Sequence, residues 1–264
     1  MTAPLSRRQL LAGALAGVVA LAREARAAPE LRTGTFEADV EILYGTLTYH
    51  LAGTIQETVD RAASRYDVTI RGQGTGISNE VDSSGALRDG RWFPSRTHSL
   101  FVVHERESRT DVAYDYGRRR IEYHNRSETF FMRRLRVTDD AVAIPEGVAV
   151  DDVISATLNY ADGLWAPQPD GSLVTHVVRR RRPSDERPDD VEKTYRAELV
   201  PFVLKVTPDP QTGRPTALFD ISRFSSWARS DRPARIVFGP HRRPEAITSS
   251  LMLGTSVAIR ISSA

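Results

Sequence analysis

Two acidic pairs come closest, in residue type and spacing, to a catalytic arrangement. Asp139-Asp140 and Asp151-Asp152 each set two carboxyl groups side by side, and paired carboxylates can share the roles of general acid and general base. The same residues are common in turns and at helix starts, because their short side chains accept hydrogen bonds from free backbone N–H groups. The sequence therefore predicts structural roles for both pairs, and we assign no catalytic residue.

The histidines lack the spacing of a metal site, since no two are separated by one or by three residues. The stretch His104 to Ser108 (His-Glu-Arg-Glu-Ser) begins like a zinc-protease helix motif, but Ser108 stands where the second histidine is needed. Zero cysteines exclude disulfides and thiolate ligands. We predict an exposed polar stretch at His104 to Ser108, no metal and no cofactor. The six histidines are His50, His98, His104, His124, His176 and His241.

Two further stretches could in principle bind an anion. Arg71 to Gly76 alternates three glycines with other residues, but no amphipathic helix follows that would direct its N-terminus at a phosphate. We interpret it as a hairpin bend relaxed by glycine. Arg179 to Arg182 is a run of four arginines, which the acidic residues up to Asp190 can compensate. We interpret Arg179 to Asp190 as a solvated loop.

Aromatic residues concentrate in the middle of the chain. They could line a cavity for an apolar ligand, since such pockets are built largely from hydrophobic and aromatic side chains. They could equally fill an ordinary core, which a domain of this size needs for stability. Both alternatives stay open at the level of sequence. The residues are Trp92, Phe93, Phe101, Tyr114, Tyr116, Tyr123, Phe130 and Phe131.

The beginning of the chain has the pattern of an export signal. Arg7 and Arg8 directly precede Leu10 to Ala22, an uncharged run of 13 residues that is shorter than the ~20 needed to span a bilayer. Ala25-Arg26-Ala27 offers small residues at both recognition positions of a signal peptidase, which predicts cleavage between Ala27 and Ala28. Residues 1–27 therefore read as a twin-arginine signal peptide, with a Sec signal and an uncleaved anchor as alternatives.

This interpretation predicts a periplasmic protein that meets the twin-arginine translocase and a signal peptidase during export and has no stable membrane span. It also changes the charge balance. Without the four arginines and one glutamate of residues 1–27, the 36 basic and 34 acidic residues become 32 and 33. A chain with no surplus of positive charge offers no global attraction to nucleic acid, so we predict no nucleic-acid partner.

The rest of the chain reads mostly as strands. Apolar residues alternate from Phe36 to Tyr44 and, after Gly45, resume one residue out of phase at Leu47 to Leu51, which predicts one long strand with a bulge. Turn residues separate further alternating stretches, at Gly72–Gly76, Ser83–Gly85, Asp89–Gly90 and Asp170–Gly171. Those stretches lie at 66–70, 112–116, 121–123, 173–178, 195–206, 234–238 and 255–261.

Two stretches favour helix. Asp151 to Asp162 begins with acids, which suit the positive end of a helix, and ends before Gly163. Thr54 to Ser64 spaces Ile55, Val59 and Ala62 for one face of an amphipathic turn or short helix. Residues 28–264 are thus predicted to form a single, mainly β domain. We expect a curved antiparallel sheet, as a half-barrel or open barrel resembling lipoprotein carriers, with one or two short helices.

Three segments of the chain resemble DUF3108, a family of bacterial exported proteins. They are Gly85 to Pro94, a glycine-led hairpin that ends in proline; Val112 to Tyr116, with a Tyr-Asp-Tyr strand; and Ile144 to Ala156, with an Asp-x-Ile-Ser helix start. The resemblance covers most of Phe36 to about Phe238. It implies a periplasmic β-rich protein shaped like lipid carriers, and it brings no catalytic residues. The twin-arginine start and the part after Arg242 depart from the family pattern.

Together these observations favour a non-enzymatic periplasmic protein that binds a lipid or another apolar or amphipathic ligand, with ligand-binding residues unknown. Two alternatives are an envelope assembly factor that contacts proteins through sheet edges or the Arg179 to Asp190 loop, and an enzyme that acts on envelope polymers through carboxylates.

Overall fold

A computed structural model describes residues 28–42, 44–129, 131–183, 186–187, 189–221, 231–251 and 254–263. In these ranges the chain forms fourteen strands and one α-helix. The strands are β1 (Glu30–Ile42), β2 (Leu47–Asp60), β3 (Arg65–Gly74), β4 (Ile77–Arg88), β5 (Arg91–Val103), β6 (Arg106–Asp115), β7 (Arg120–Glu128), β8 (Leu135–Ala143), β9 (Leu173–Arg180), β10 (Ala197–Pro208), β11 (Pro215–Phe219), β12 (Ala234–Phe238), β13 (Pro244–Ser250) and β14 (Ser256–Ser263), and the helix is α1 (Val153–Ala161).

All fourteen strands belong to one antiparallel sheet, in the order β8-β7-β6-β5-β4-β3-β2-β1-β14-β13-β12-β11-β10-β9. Consecutive strands therefore pair with each other, except β8 and β9, which form the two edges of the sheet, and the pairing of β1 with β14 joins its two halves. A twisted sheet of this many strands curls, because its twist accumulates from strand to strand. The result is a nearly closed, barrel-like sheet with a single helix, which confirms the predicted mainly β, curved antiparallel fold.

The predicted long strand from Phe36 to Leu51 is wrong, because the chain reverses at Tyr44 and Gly45. Both residues have positive φ, 57° and 80°, and Ile42 pairs with Leu47 across the turn. Positive φ at two successive residues is typical of a tight hairpin turn, whose twist matches that of the flanking strands. The change of phase at Gly45 therefore marks a hairpin and not a bulge.

The predicted helix at Thr54 to Ser64 is also wrong, since these residues lie in β2 and the turn that follows it. Alternate residues of this part of β2, Ile55, Glu57 and Val59, face the inside, with Glu57 and Val59 buried. The predicted turn at Ser83–Gly85 lies inside β4, where the pairing with β5 shifts register. The turns at Asp89–Gly90 and Asp170–Gly171 are found as predicted.

The two edges of the sheet overlap instead of joining by a ladder. On β9 and β10, Val177 pairs with Val200 on the inner face, and Val178 pairs with Leu199 on the opposite face. Val178 and Leu199 pack against the inner face of β6 and β7, in a cluster that includes Ile121. The β9–β10 hairpin therefore lies inside the turn of β6 to β8. We call this contact the seam.

Side chains hold the seam together. The Asp140 carboxylate of β8 accepts a hydrogen bond from the Ala197 amide at 2.9 Å, and the Tyr123 hydroxyl of β7 accepts one from the Arg180 amide at 3.1 Å. The free edge of β9 is partly covered as well, because the Asp151 amide donates to the His176 carbonyl. Covering an edge in this way satisfies backbone groups that would otherwise be free to pair with another chain.

Alternating strand directions give the barrel two different ends. One end, the helix end, carries α1 and the turns that follow the even-numbered strands β2, β4 and β6. The other end, the mouth, carries the connections β1–β2, β3–β4, β5–β6, β7–β8, β9–β10, β11–β12 and β13–β14.

Helix α1 is buried on most of its sides and closes the helix end. Leu158 packs among Val59, Tyr66 and Trp92 from the first half of the sheet. Tyr160 packs against Phe238 of the second half, with ring centroids 4.7 Å apart. The helix therefore serves as a shared core element for both halves.

Asp152 begins α1 as predicted and also ties it to the sheet. Its carboxylate accepts the Ser155 amide at 2.7 Å, and the Ser155 hydroxyl accepts the Asp152 amide, which is a capping box. The other carboxylate oxygen accepts the hydroxyls of Ser83 at 2.5 Å and Thr97 at 2.6 Å. One side chain thus caps the helix and attaches it to β4 and β5.

Asp151 makes the matching attachment to the other half of the sheet. Its carboxylate is fully buried and accepts hydrogen bonds from Thr175 of β9 at 2.6 Å, from Asn159 at 3.0 Å and from the Arg91 guanidinium of β5. Burial raises the pKa of Asp151, and the charge of Arg91 acts in the opposite direction. A buried carboxylate is tolerated here because donors surround it.

We expect Asp152→Ala to lower the free energy of unfolding by about 2–4 kcal/mol, through loss of the cap and of a partner for two buried hydroxyls. Urea denaturation followed by circular dichroism measures this. Glu146→Ala, at a side chain that is 92% exposed, is the control and should change stability little. An equal effect of both substitutions would contradict the anchoring role of Asp152.

Candidate ligand-binding lumen

The inward face of the sheet surrounds a space that we call the lumen. Strand register defines which residues face it, because directly paired residues of an antiparallel ladder project from the same face. Some inward apolar residues are only partly buried, whereas those near the helix end are buried, as is a cluster on β1 to β5 that extends toward the mouth. That cluster consists of Phe36, Ala38, Ile42, Tyr49, Leu51, Ile77 and Val103. The partly buried inward residues are Val40, Ile55, Ile70, Val81, Phe202, Val206, Phe219, Ile236, Ile247, Val257, Ile259 and Ile261.

Phe101 shows the accessibility of the lumen most directly. It pairs with Asn79 of β4 and Ser108 of β6 on the inward face, yet its side chain is among the exposed large hydrophobics, at 39%. A ring on the inner face of a filled core would be fully packed. The inner face around Phe101 is therefore open to solvent.

Neutral hydroxyl groups line one part of the lumen wall. Ser99, Ser108 and Thr110 face inward from β5 and β6, opposite a wall built mainly from isoleucine, valine and phenylalanine. Charged groups also face inward: Arg179 donates to Glu198 at 2.7 Å, and the buried Glu57 accepts from Arg243 at 2.8 Å. The lumen is thus apolar on one side and hydrogen-bonding on the other, which suits an amphipathic ligand.

Two glycines shape the apolar wall. Gly53 and Gly72 are paired across β2 and β3, and the Phe36 ring lies over both. A Cβ at Gly53 would come within 2.5 Å of the ring, and one at Gly72 within 2.8 Å. The missing side chains therefore leave room for Phe36 to lie flat against the sheet.

The predicted aromatic cluster is divided among several places. Phe101 faces the lumen, Trp92 is buried against α1, and Phe131 is exposed. Tyr114 and Tyr123 pack in the cluster at the seam. Phe130 lies outside the described residues.

The ring centroids of two of the aromatics, Phe93 and Tyr116, are 5.1 Å apart. They lie in a cleft of about 480 Å³ at the helix end, outside the lumen. Most members of the cluster therefore make packing contacts away from the lumen, and the lumen wall consists mainly of isoleucine, valine and phenylalanine residues that lie outside this cluster.

The predicted solvated loop from Arg179 to Asp190 is wrong in large part. Arg179 and Arg180 belong to β9, and the Glu186 side chain is 1% exposed. Glu186 accepts hydrogen bonds from Arg180 at 2.7 and 2.8 Å and from Arg182 at 2.9 Å. Arg136 of β8 donates to carbonyls of the same loop. The acid and the arginines compensate each other as predicted, but in a buried cluster that fixes the loop at the mouth.

The charge on Glu186 makes this cluster sensitive to pH. Burial raises the pKa of Glu186, but hydrogen bonds from Arg180 and Arg182 outweigh it and hold the pKa below its ordinary value of 4.5. A carboxyl group whose pKa is lower in the folded than in the unfolded protein stabilises the fold at pH values above its pKa in the unfolded protein. This stabilisation is lost as the pH falls through the pKa of the folded protein.

We therefore expect the segment 181–195 to become accessible to proteases, or to hydrogen exchange, as the pH is lowered below about 4. Glu186→Gln should expose it already at neutral pH, because the arginines lose their charged partner. Glu192→Gln, on the exposed part of the same loop, is the control. If both variants remain protected like the unchanged protein, the cluster does not hold the loop.

The other residues considered from sequence lie apart from the lumen. Three histidines pair with aspartates across neighbouring strands on the outer face: His50 with Asp39, His98 with Asp111 and His124 with Asp139. In the described parts of the chain, no group of three or more His, Asp or Glu side chains could hold a metal ion.

The two acidic pairs and the His104 stretch also have identified positions. Asp139-Asp140 lies in β8 and not in a turn, whereas Asp151-Asp152 starts the helix as predicted. His104 and Glu105 form the exposed β5–β6 turn, as predicted for a polar stretch, whereas Arg106 to Ser108 belong to β6 and Ser108 faces inward. Arg71 to Gly76 ends β3 and turns at Gly76, as a hairpin bend.

The predicted export residues Arg7, Arg8 and Ala27 lie outside the described residues, and Ala28 is exposed. No helix in the described part of the chain combines the length and apolar character needed to cross a bilayer.

The fold and the lumen define a barrel-like β protein closed at one end by a helix. No family model matches this chain, and no curated protein matches it. Among solved structures it is similar to a crystal structure from Brucella abortus, described as a beta-barrel-like protein of domain of unknown function DUF1849. The identity is 10% and the TM-score 0.40, over 89% of this chain and 96% of that chain. The resemblance to DUF3108 stays a prediction.

Proposed function

We propose that this protein is a non-catalytic, exported binding protein that holds a lipid or another amphipathic molecule in its lumen. The observation that carries the proposal is the incomplete burial of apolar residues on the inner face, above all Phe101. Exposed apolar surface costs about 25 cal/mol per Å² relative to burial. A ligand with an apolar chain would remove this surface from water.

The division of the lumen wall favours an amphipathic ligand over a purely apolar one. Ser99, Ser108 and Thr110 can donate and accept hydrogen bonds, whereas the wall around Ile55 and Ile259 cannot. A chain lying against the isoleucines would leave its polar group near the hydroxyls. Binding would then need no catalytic group, and the buried carboxylates of Asp151 and Asp152 are already occupied by the helix anchor.

Purified protein should bind a fluorescent long-chain fatty acid, and native mass spectrometry should detect co-purified lipid. Phe101→Asp should weaken the binding about tenfold or more, because it places a charge on the apolar lumen wall.

Leu218→Asp is the matched control. Leu218 lies in β11 on the outer face and is 57% exposed, so the substitution should leave binding unchanged. Bare protein in the spectrometer together with equal, negligible fatty-acid binding by all three forms would refute the proposal.

Export is the second part of the proposal, and residues 1–27 support it through Arg7-Arg8, the uncharged run and the small residues before Ala28. A reporter fused to residues 1–28 should reach the periplasm in normal cells and stay in the cytoplasm of a strain without the twin-arginine translocase. Replacing Arg7 and Arg8 together by lysine should have the same effect. Unimpaired export in that strain would mean that the two arginines are only a basic region of a Sec signal.

A further inference from the structure

The β7–β8 connection carries two large apolar side chains into solvent at the mouth. Phe131 is 49% exposed and Met132 is 62% exposed. On the adjoining strand β8, Leu135 and Val137 are 41% and 50% exposed. We call Phe131 and Met132 the apolar tip. Large apolar residues exposed together, as here, usually mark an interaction site.

The apolar tip is held in shape by the protein. The Asp189 carboxylate accepts hydrogen bonds from the amides of Phe131 at 3.1 Å and Met132 at 2.7 Å. The loop is closed by a bond from the Thr129 amide to the Arg134 carbonyl at 2.8 Å. The backbone amides at the tip are therefore satisfied from within the molecule.

Arginines follow the apolar tip directly. The Arg133 guanidinium donates a hydrogen bond to the Glu128 carboxylate at 3.1 Å, and the Arg133 side chain remains 49% exposed. Arg134 is exposed, and within the described residues its guanidinium has no hydrogen bond or ion pair. Apolar side chains beside exposed arginines are the pattern of surfaces that insert into the interface of an anionic membrane.

We propose that the apolar tip docks this protein on a bilayer that contains anionic lipid, with Phe131 and Met132 in the interface and Arg134 on the headgroups. This rests on the proposed function, because it brings the mouth of the lumen to the surface that supplies or receives its ligand. A single hairpin turn is small for a stable protein interface, which buries about 800 Å² on each partner. Membrane contact combines burial of apolar side chains with attraction of basic residues to anionic headgroups, and the apolar tip and its neighbouring arginines supply both.

The test is sedimentation of the protein with vesicles of phosphatidylethanolamine and phosphatidylglycerol, compared with vesicles of phosphatidylcholine alone. We expect binding to the anionic vesicles that weakens with added salt. Replacing Phe131 and Met132 together by serine should reduce that binding about tenfold or more. Arg134→Glu, at an exposed side chain, should reduce it about fivefold or more and diminish the salt dependence.

The control replaces Leu31 and Val153 by serine. These residues are 70% and 78% exposed but lie at the helix end, so vesicle binding should be unchanged. Equal vesicle binding by the tip variant, or a loss of equal size in the control, would overturn the docking proposal.

Fatty-acid binding measured on the same samples separates the two proposals. If the protein and its tip variant bind fatty acid but ignore all vesicles, docking is wrong and the lumen proposal stands. If the tip variant instead loses an envelope protein that the unchanged chain retains, the tip is a protein-binding surface and the membrane proposal is wrong. If the protein binds the anionic vesicles but no fatty acid, the proposed ligand-binding function is wrong. Membrane docking would then stand, but without the role of supplying a ligand to the lumen.

Discussion

The structure depends most on the anchoring of α1 by two buried carboxylates. Asp152 attaches the start of the helix to Ser83 and Thr97 in the first half of the sheet, and Asp151 attaches it to Thr175 in the second half. Strands alone could not close the helix end, because their inward side chains reach only part of the way across. A helix fills that space, and its polar start is acceptable inside because every carboxylate oxygen has donors. Closure of this end by α1 gives the curled sheet an interior that is covered at one end.

The packing of the inner face varies along the axis of the barrel. Apolar residues are well packed where α1 fills the barrel and again near the mouth, in a buried cluster that includes Tyr49, Ile77 and Val103. Phe101 and the partly buried wall opposite Ser99 and Thr110 belong to the parts of the inner face that these clusters leave less well packed. The mouth is also where the Glu186 cluster fixes one loop and the apolar tip projects from another. Under the proposed function, a ligand would be held inside the barrel and would enter or leave at the mouth.

Local patterns were sufficient to predict part of this architecture. The acids before Val153 predict a helix start because capping is decided within a few residues, and Asp89–Gly90 predicts a hairpin because both positions need positive φ. The β2 segment could not be assigned in this way, since Ile55 and Val59 fit both a helical face and a strand face. The strand is defined by its ladders with β1 on one side and β3 on the other, and Glu57 also pairs with Arg243, a residue 186 positions away.

The candidate site was less predictable for the same reason. Which isoleucines line the lumen follows from the register of strands that pair only in the folded chain, and the seam depends on the relative position of the first and last strands of the sheet order. Tyr44 posed a different difficulty, because a tyrosine in the left-handed region gives no signal in the sequence. Aromatic content suggested a cavity, but most of the aromatics proved to be packing residues.

The pairing of β1 with β14 has a consequence for how the chain folds. Among the described strands it is the one ladder between strands that are not consecutive, and it aligns Glu37 with Arg260, 223 residues apart. Hairpins can form early and in any order, because their loops are short, whereas this ladder must close nearly the whole chain into a ring. The first eight strands can therefore join the rest of the sheet only after β14, the last strand, has been synthesised. Until then the outer edge of β1 is an unpaired template on which a second nascent chain can add its own strand.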